Sequence, residues 1–151
     1  METPRVIWQT WKSKTDIPEK LSDLSRTWTT NHPDYEYRLL DDDDLRNIVS
    51  KVTPNHLEKY DSFTRMIERV DFARYAIMYE YGGVYADMDT KSLKNVDMWV
   101  AKNKIVLGCE PSEHSMEIYR TNRVVCNALI ISPPKQKFWL ELMNYISENY
   151  T

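Results

Sequence analysis

The apolar positions of the chain fall into short runs and helical stripes that alternate from one end to the other. Val6-Ile7-Trp8, set between Pro4-Arg5 and Gln9-Thr10-Trp11, has the β-branched and aromatic content of a short buried strand. Pro18 suits the first turn of a helix, and Leu21, Leu24 and Trp28 then recur at three and four residues. One amphipathic helix is therefore predicted from Glu19 to about Asn31, closed by His32-Pro33. Tyr35 to Leu40 alternates aromatic and charged residues and reads as a second strand. Asp41 to Asp44 stand directly before Leu45, Ile48 and Val49 at helical spacing, so the four carboxylates are read as a helix cap rather than a metal cluster. Pro54 to Tyr60 predicts a further short helix.

A longer helix, capped by Ser62, is expected from Phe63 to about Tyr81, with Met66, Val70, Ala73, Ile77 and Tyr81 as its core stripe. Asp71 and Arg74 lie off that stripe. Three residues apart, they can form a surface pair or reach one common ligand. Gly82-Gly83 ends the helix and Val84 to Thr90 follows as a strand, with Val84, Ala86 and Met88 on one face and Tyr85, Asp87 and Asp89 on the other. Apolar runs at Lys104 to Cys109 and Val124 to Ser132 come next. A closing helix from about Lys135 then turns Phe138, Trp139, Leu142 and Ile146 inward. Strands alternating with helices argue an α/β domain with a mostly parallel central sheet flanked by helices, whose ligands sit at the carboxyl ends of strands.

The 151 residues suit a single domain, 1–151, with enough chain to bury a core without staples. Cys109 and Cys126 have no CxxC spacing and read as two reduced thiols, one structural bridge being the alternative. The balance of 20 basic against 23 acidic residues, scattered along the chain, argues against a nucleic-acid partner. No apolar stretch approaches the ~18 residues of a membrane span, and Met1 to Lys12 lacks the apolar centre of a secretory signal.

Chemistry concentrates at Asp87 and Asp89. Two carboxylates at i and i+2 near a strand's carboxyl end can hold a hard divalent cation, Mn²⁺ or Mg²⁺, leaving positions for water and phosphate. A bare DxD is also common in solvated turns, and Asp87-Met88-Asp89-Thr90 further matches the loop of haloacid-dehalogenase-type phosphatases. That second enzyme needs a later acidic pair, and neither Asp-Asp nor Asp-x-x-x-Asp follows Thr90. His32, His56 and His114 stand alone and are assigned no role.

The wider context decides. Arg69-Val70-Asp71-Phe72-Ala73-Arg74-Tyr75, followed by Tyr79-Glu80-Tyr81-Gly82-Gly83-Val84-Tyr85-Ala86-Asp87-Met88-Asp89, resembles the R-x-D-x-x-R-Y…G-G-x-Y-x-D-x-D signature of the DXD sugar-binding glycosyltransferases, family 32. Thr3 to Trp11, Tyr35-Glu36-Tyr37 and Asn127-Ala128-Leu129-Ile130-Ile131-Ser132 resemble further blocks in the same order, so the resemblance covers nearly the whole chain. That family includes initiating α-1,6-mannosyltransferases and capsular sugar transferases, and is akin to the glucosylating clostridial toxins.

The resemblance implies a GT-A nucleotide-diphospho-sugar transferase fold. It also implies transfer of a sugar from a UDP- or GDP-sugar to a glycan or other hydroxyl acceptor, with retention, as in polysaccharide biosynthesis. It implies Asp87 and Asp89 at the metal, Asp87 also at the ribose, and Asp71 and Arg74 at the hydroxyls of the donor sugar. Trp11 would stack on the base, Tyr85 would lie beside the donor, and Asn127 would touch donor or acceptor. Catalysis would rest on Asp71, Arg74, Asp87 and Asp89. Trp8 stands where the family has His, leaving the base wall aromatic. Nothing after Ser132 resembles the family's closing segment. The expectation is thus either a minimal transferase or a shortened member that binds nucleotide-sugar with little turnover. The lack of an anchor favours a cytoplasmic enzyme of bacterial or viral origin over an anchored Golgi one.

Overall fold

In the computed structural model, which describes residues 1–150, the chain forms five strands and seven helices. They follow as β1 (Val6–Thr10), α1 (Glu19–Asn31), β2 (Glu36–Leu40), α2 (Asp42–Val52), a 3-10 turn (Pro54–His56), α3 (Leu57–Ser62), α4 (Met66–Glu80), β3 (Gly83–Ala86), α5 (Asp97–Val100), β4 (Val106–Cys109), α6 (Ser112–Tyr119), β5 (Val125–Ser132) and α7 (Lys137–Asn149). The strands make one sheet in the order β2-β1-β3-β5-β4. β1 pairs in parallel with β2 and β3, whereas β5 runs antiparallel to both β3 and β4. The sheet is therefore mixed, with a single reversed strand.

Residues alternate between the two faces of the sheet, and each face has its own core. Trp8, Tyr85 and Ile130 stand in register and pack under α2, α4 and α7 with Leu45, Phe72, Ile77 and Trp139. Ile7, Val84 and Ile131 face the other way, against Trp28 of α1 and Val100 of α5. Helices thus cover both sides, as the apolar runs of the inner strands require.

The acid run caps α2. The Asp41 carboxylate accepts from the Asp44 N–H at 3.0 Å, and the Asp44 carboxylate accepts from the Asp41 N–H at 3.1 Å, satisfying two donors that the first turn leaves open.

Four expectations are corrected. The long helix starts at Met66 behind Arg65, whose backbone N–H is taken by Glu68, so Ser62 is not its cap. Its stripe holds at Ala73 and Ile77, but Met66 is 43% exposed, and Phe72, Arg74, Ala76 and Met78 are buried as well. α4 is enclosed on several sides rather than amphipathic, because α2 and α7 cover it beyond the sheet. Phe138 points outward on α7, where Trp139 and Met143 hold the core. The strand after Gly83 stops at Ala86, because the Asp87 carbonyl accepts from both the N–H and the hydroxyl of Thr90, at 3.1 and 2.6 Å, and turns the chain.

The junction between α4 and β3 depends on glycine. Gly82 at φ 64° and Gly83 at φ 104° occupy left-handed backbone, and a Cβ on Gly83 would stand 2.5 Å from Val6 Cγ1 and 2.7 Å from the Val6 carbonyl oxygen. The α4 helix can therefore lead straight into a strand lying beside β1. Cys126 lies opposite Gly108, and Cys109 opposite Val125. Neighbouring positions on a strand point to opposite faces, so the two thiols diverge, and both are free.

Candidate active site

β1 and β3 run side by side and end together at Thr10 and Ala86, while β5, running the other way, enters the sheet at the same edge with Asn127. This edge carries a cavity of about 500 Å³. Trp11, Leu21, Met66, Ile67 and Val70 make its apolar wall, and Thr10, Asp42, Arg74, Asp87 and Asp89 its polar one. A large apolar cleft with a few convergent polar groups has the form of a ligand site.

Arg74 organises the polar side. Only 2% of its side chain is exposed, and its guanidinium lies 4.4 Å above the Tyr85 ring. Nη1 donates to the Asn127 carbonyl at 2.7 Å. Nη2 pairs with Asp71 Oδ1 at 2.9 Å and with Asp87 Oδ1 at 3.2 Å. Asp71 and Arg74 are thus not an exposed surface pair: the arginine is buried, and it joins α4 to the end of β3 and the start of β5. The planar fork of arginine suits this three-way contact, which a point charge could not reproduce. Among the described residues Nε has no hydrogen-bond partner.

Asp87 is held from every side but one. Its N–H donates to the Ala128 carbonyl at 2.9 Å, and its own carbonyl also takes Gln9 Nε2 at 3.2 Å. The Tyr85 hydroxyl donates to Oδ1 at 3.0 Å and stands 3.1 Å from Thr10 Oγ1. Burial pushes the Asp87 carboxyl above its ordinary value; Arg74 and the Tyr85 hydroxyl pull it down, and Asp89 and Asp71 push it up. Burial likewise raises the Tyr85 phenol, so the hydroxyl keeps its proton as a donor to Asp87.

Asp87 Oδ2 and both oxygens of the exposed Asp89 have no hydrogen-bond or ion-pair partner among the described residues. Among those residues no group of three or more His, Cys, Asp and Glu side chains is disposed to hold a metal. The side chains here that could hold a cation are therefore these two carboxylates. That fits a hard ion such as Mg²⁺ or Mn²⁺, which keeps waters and takes substrate phosphate oxygens as its other ligands.

Of the residues singled out in the sequence, Trp11, Arg74, Asp87 and Asp89 line the cavity together. Trp11 is held by its indole N–H, which donates to the Asp16 carbonyl at 3.0 Å. Tyr85 is fully buried beneath Arg74 and forms no part of the cavity wall; it reaches the site through Asp87, Arg74 and Thr10. Trp8 is also core, its indole donating to the Gly82 carbonyl at 2.8 Å, so it builds the α4–β3 junction and not a base wall. Asn127 Nδ2 lies 3.4 Å from Asp71 Oδ1 and donates to the Tyr75 hydroxyl at 3.0 Å. Gln9, Thr10, Tyr75 and the wall formed by Met66 and Ile67 were not foreseen. A polar Gln inside an apolar strand, 0% exposed here, was the one signal available in the sequence.

The fold with its site at this sheet edge is that of a GT-A-type glycosyltransferase. It superposes on PaToxG Glycosyltransferase with a TM-score of 0.64 at 14% identity, covering 98% of this chain and 61% of that one. Residues 18–106 match the family described as "Glycosyltransferase sugar-binding region containing DXD motif", and the chain belongs to that family.

Relatives include inositol phosphoceramide mannosyltransferase 3 of Schizosaccharomyces pombe, 42% identical over 62% of this chain and 26% of the relative. The initiation-specific alpha-1,6-mannosyltransferase of Saccharomyces cerevisiae is 36% identical over 67% and 22%. Its Schizosaccharomyces pombe counterpart is 28% identical over 97% and 40%. The chain thus spans between 22% and 40% of the length of these relatives. These relatives are yeast proteins, whereas the expectation for this chain is a bacterial or viral origin. Among the described residues no helix is long and apolar enough to cross a membrane.

Proposed function

We propose that this chain is the donor-binding domain of a metal-dependent glycosyltransferase. It would take a sugar from a UDP- or GDP-sugar and pass it, with retention, to a glycan or other hydroxyl acceptor. The observation that carries the reading is Arg74, buried and ion-paired at once to Asp71 and Asp87, at the edge of a cavity that also holds Asp89 and Trp11.

In this reading Asp87 Oδ2 and Asp89 would hold Mn²⁺ or Mg²⁺, which would neutralise the charge that develops on the leaving diphosphate. Asp71 and Arg74 fix the hydroxyls of the donor sugar, the carboxylate accepting and the guanidinium donating, and the fixed charge of Arg74 would favour the same developing charge. Trp11 offers its flat face to the base, and Leu21, Met66, Ile67 and Val70 exclude water around it. Tyr85 and Gln9 hold Asp87 in place from behind. Asn127 orients Asp71.

The test is calorimetric titration with a panel of UDP- and GDP-sugars, mannosyl donors first given the names of the relatives, in Mn²⁺ and again in EDTA, with released sugar assayed in the same samples. Binding that needs the metal, with sugar released, is expected. Binding without release would leave a nucleotide-sugar-binding module, and a chain that binds no donor would end the proposal.

A further inference from the structure

Asp71 borders a second cavity, of about 200 Å³, between the start of α4 and the end of α7. Phe63, Tyr75, Ile146 and Tyr150 give it flat apolar walls, and Glu68 and Asp71 put carboxylates on its rim. Its volume is on the scale of one six-membered ring with its substituents, well short of a nucleotide.

The polar groups around it are mostly acceptors. Asp71 Oδ1 is engaged by Arg74 and Asn127, and Oδ2 has no partner among the described residues. Glu68 is held by Arg65 and by the Tyr150 hydroxyl at 3.2 Å, which fixes the rim. The Tyr75 hydroxyl takes the Asn127 amide, and burial raises its pKa, so it stays protonated and able to donate. Tyr75 is itself stacked on Trp139 at 5.8 Å and 10°. Among the described residues no Lys or Arg lines the cavity, and the cations beside it are already engaged, Arg65 by Glu68, Arg74 by Asp71 and Lys59 by the Tyr150 carbonyl, so an anion would meet two carboxylates and no free counter-charge.

A ligand matching these walls is neutral, has a C–H face to lie on aromatic carbon, and carries hydroxyls that donate to carboxylates. Its position follows from Asp71. That residue shares Nη2 of Arg74 with Asp87 and is itself assigned to the donor sugar, so a ring in the second cavity would lie directly beside that sugar.

We infer that this cavity is the acceptor subsite, taking one neutral polyhydroxylated six-membered ring, a hexopyranose or an inositol ring, against Tyr75, Phe63 and Tyr150 with its hydroxyls on Asp71. The inference rests on the glycosyl-transfer reading above.

Saturation-transfer NMR on the whole chain tests it, with methyl α-D-mannopyranoside and myo-inositol as separate probes. Saturation should reach the ring protons of at least one probe, and which of the two responds names the kind of ring. It should fall about fivefold or more in Ile146→Trp, which fills the cavity, and in Tyr150→Ala, which removes an aromatic wall. Tyr150 is 47% exposed, so its truncation leaves the core intact even if the tryptophan is not accommodated. Mannose 1-phosphate should not displace the probe. Equal signals in wild type and Tyr150→Ala, no saturation of either probe, or displacement by the phosphate would each overturn the subsite. Binding of nucleotide-sugar is measured in parallel. Its loss with ring binding intact would overturn the transferase reading and the acceptor role with it, leaving only a ring site, and its retention without ring binding would strike the subsite alone.

Discussion

At the scale of single residues, the two DXD carboxylates have opposite surroundings. Asp89 is exposed and unpartnered, whereas Asp87 is enclosed by Arg74, Tyr85, Gln9 and the Ala128 carbonyl. Asp89→Ala should therefore leave the fold untouched and abolish metal-dependent donor binding; undiminished affinity in calorimetry would remove Asp89 from the site. Asp87 carries a folded-state pKa above that of the unfolded chain, with burial as the main cause. The sign follows: the folded state holds this proton more tightly, so the contribution is present at low pH and is lost as pH rises through the raised pKa. In metal-free buffer, the melting temperature of Asp87→Asn relative to wild type should rise between pH 4 and pH 7 while donor binding disappears. A difference that stays flat with pH would mean the carboxylate is not strained by its burial. Arg74→Lys keeps the charge and loses the fork, and should lower donor affinity or turnover by about tenfold. Unchanged kinetics would exclude Arg74 from the chemistry.

At the scale of elements, the strand–helix–strand opening, the acid cap of α2 and the helix ending at the glycine pair were legible in the sequence, because each is decided locally by periodicity, capping and backbone freedom. Replacing Asp41 by Ala should cost about 1 kcal/mol in chemical denaturation. Gly83→Ala should cost about 2–4 kcal/mol, since the new Cβ meets Val6 in backbone that disfavours any side chain. A near-neutral Gly83→Ala would contradict the close approach of β3 to β1. What the sequence hid was decided at a distance. Arg74 looked like one half of a surface pair, and it is buried because the Asn127 carbonyl, 53 positions away, receives it. The alternation Val84, Ala86, Met88 continues past the strand's real end, since the turn at Asp87 is made by the Thr90 side chain. α6 carries exposed Met116, Ile118 and Tyr119 and shows no stripe to betray it.

At the scale of the whole molecule, the reversed β5 brings Asn127 to the site at the start of a strand, where β1 and β3 deliver Thr10 and Asp87 at their ends. The diverging thiols on β4 and β5 give a direct check of this pairing. Unfolded without reductant, the protein should release two titratable thiols per chain; none would require a register in which Cys109 and Cys126 meet.

The place of β1 in the sheet also bears on biogenesis. Once synthesised, β1 can pair with β2 as soon as that strand follows, but its other edge stays open until Val84 and Tyr85 arrive. Until then Val6-Ile7-Trp8 presents an unpaired apolar ladder, the kind of edge on which nascent chains stick to one another. Any fragment ending before Gly83 inherits that edge permanently, so a well-behaved piece of this protein that contains β1 must reach at least through β3 to Ala86.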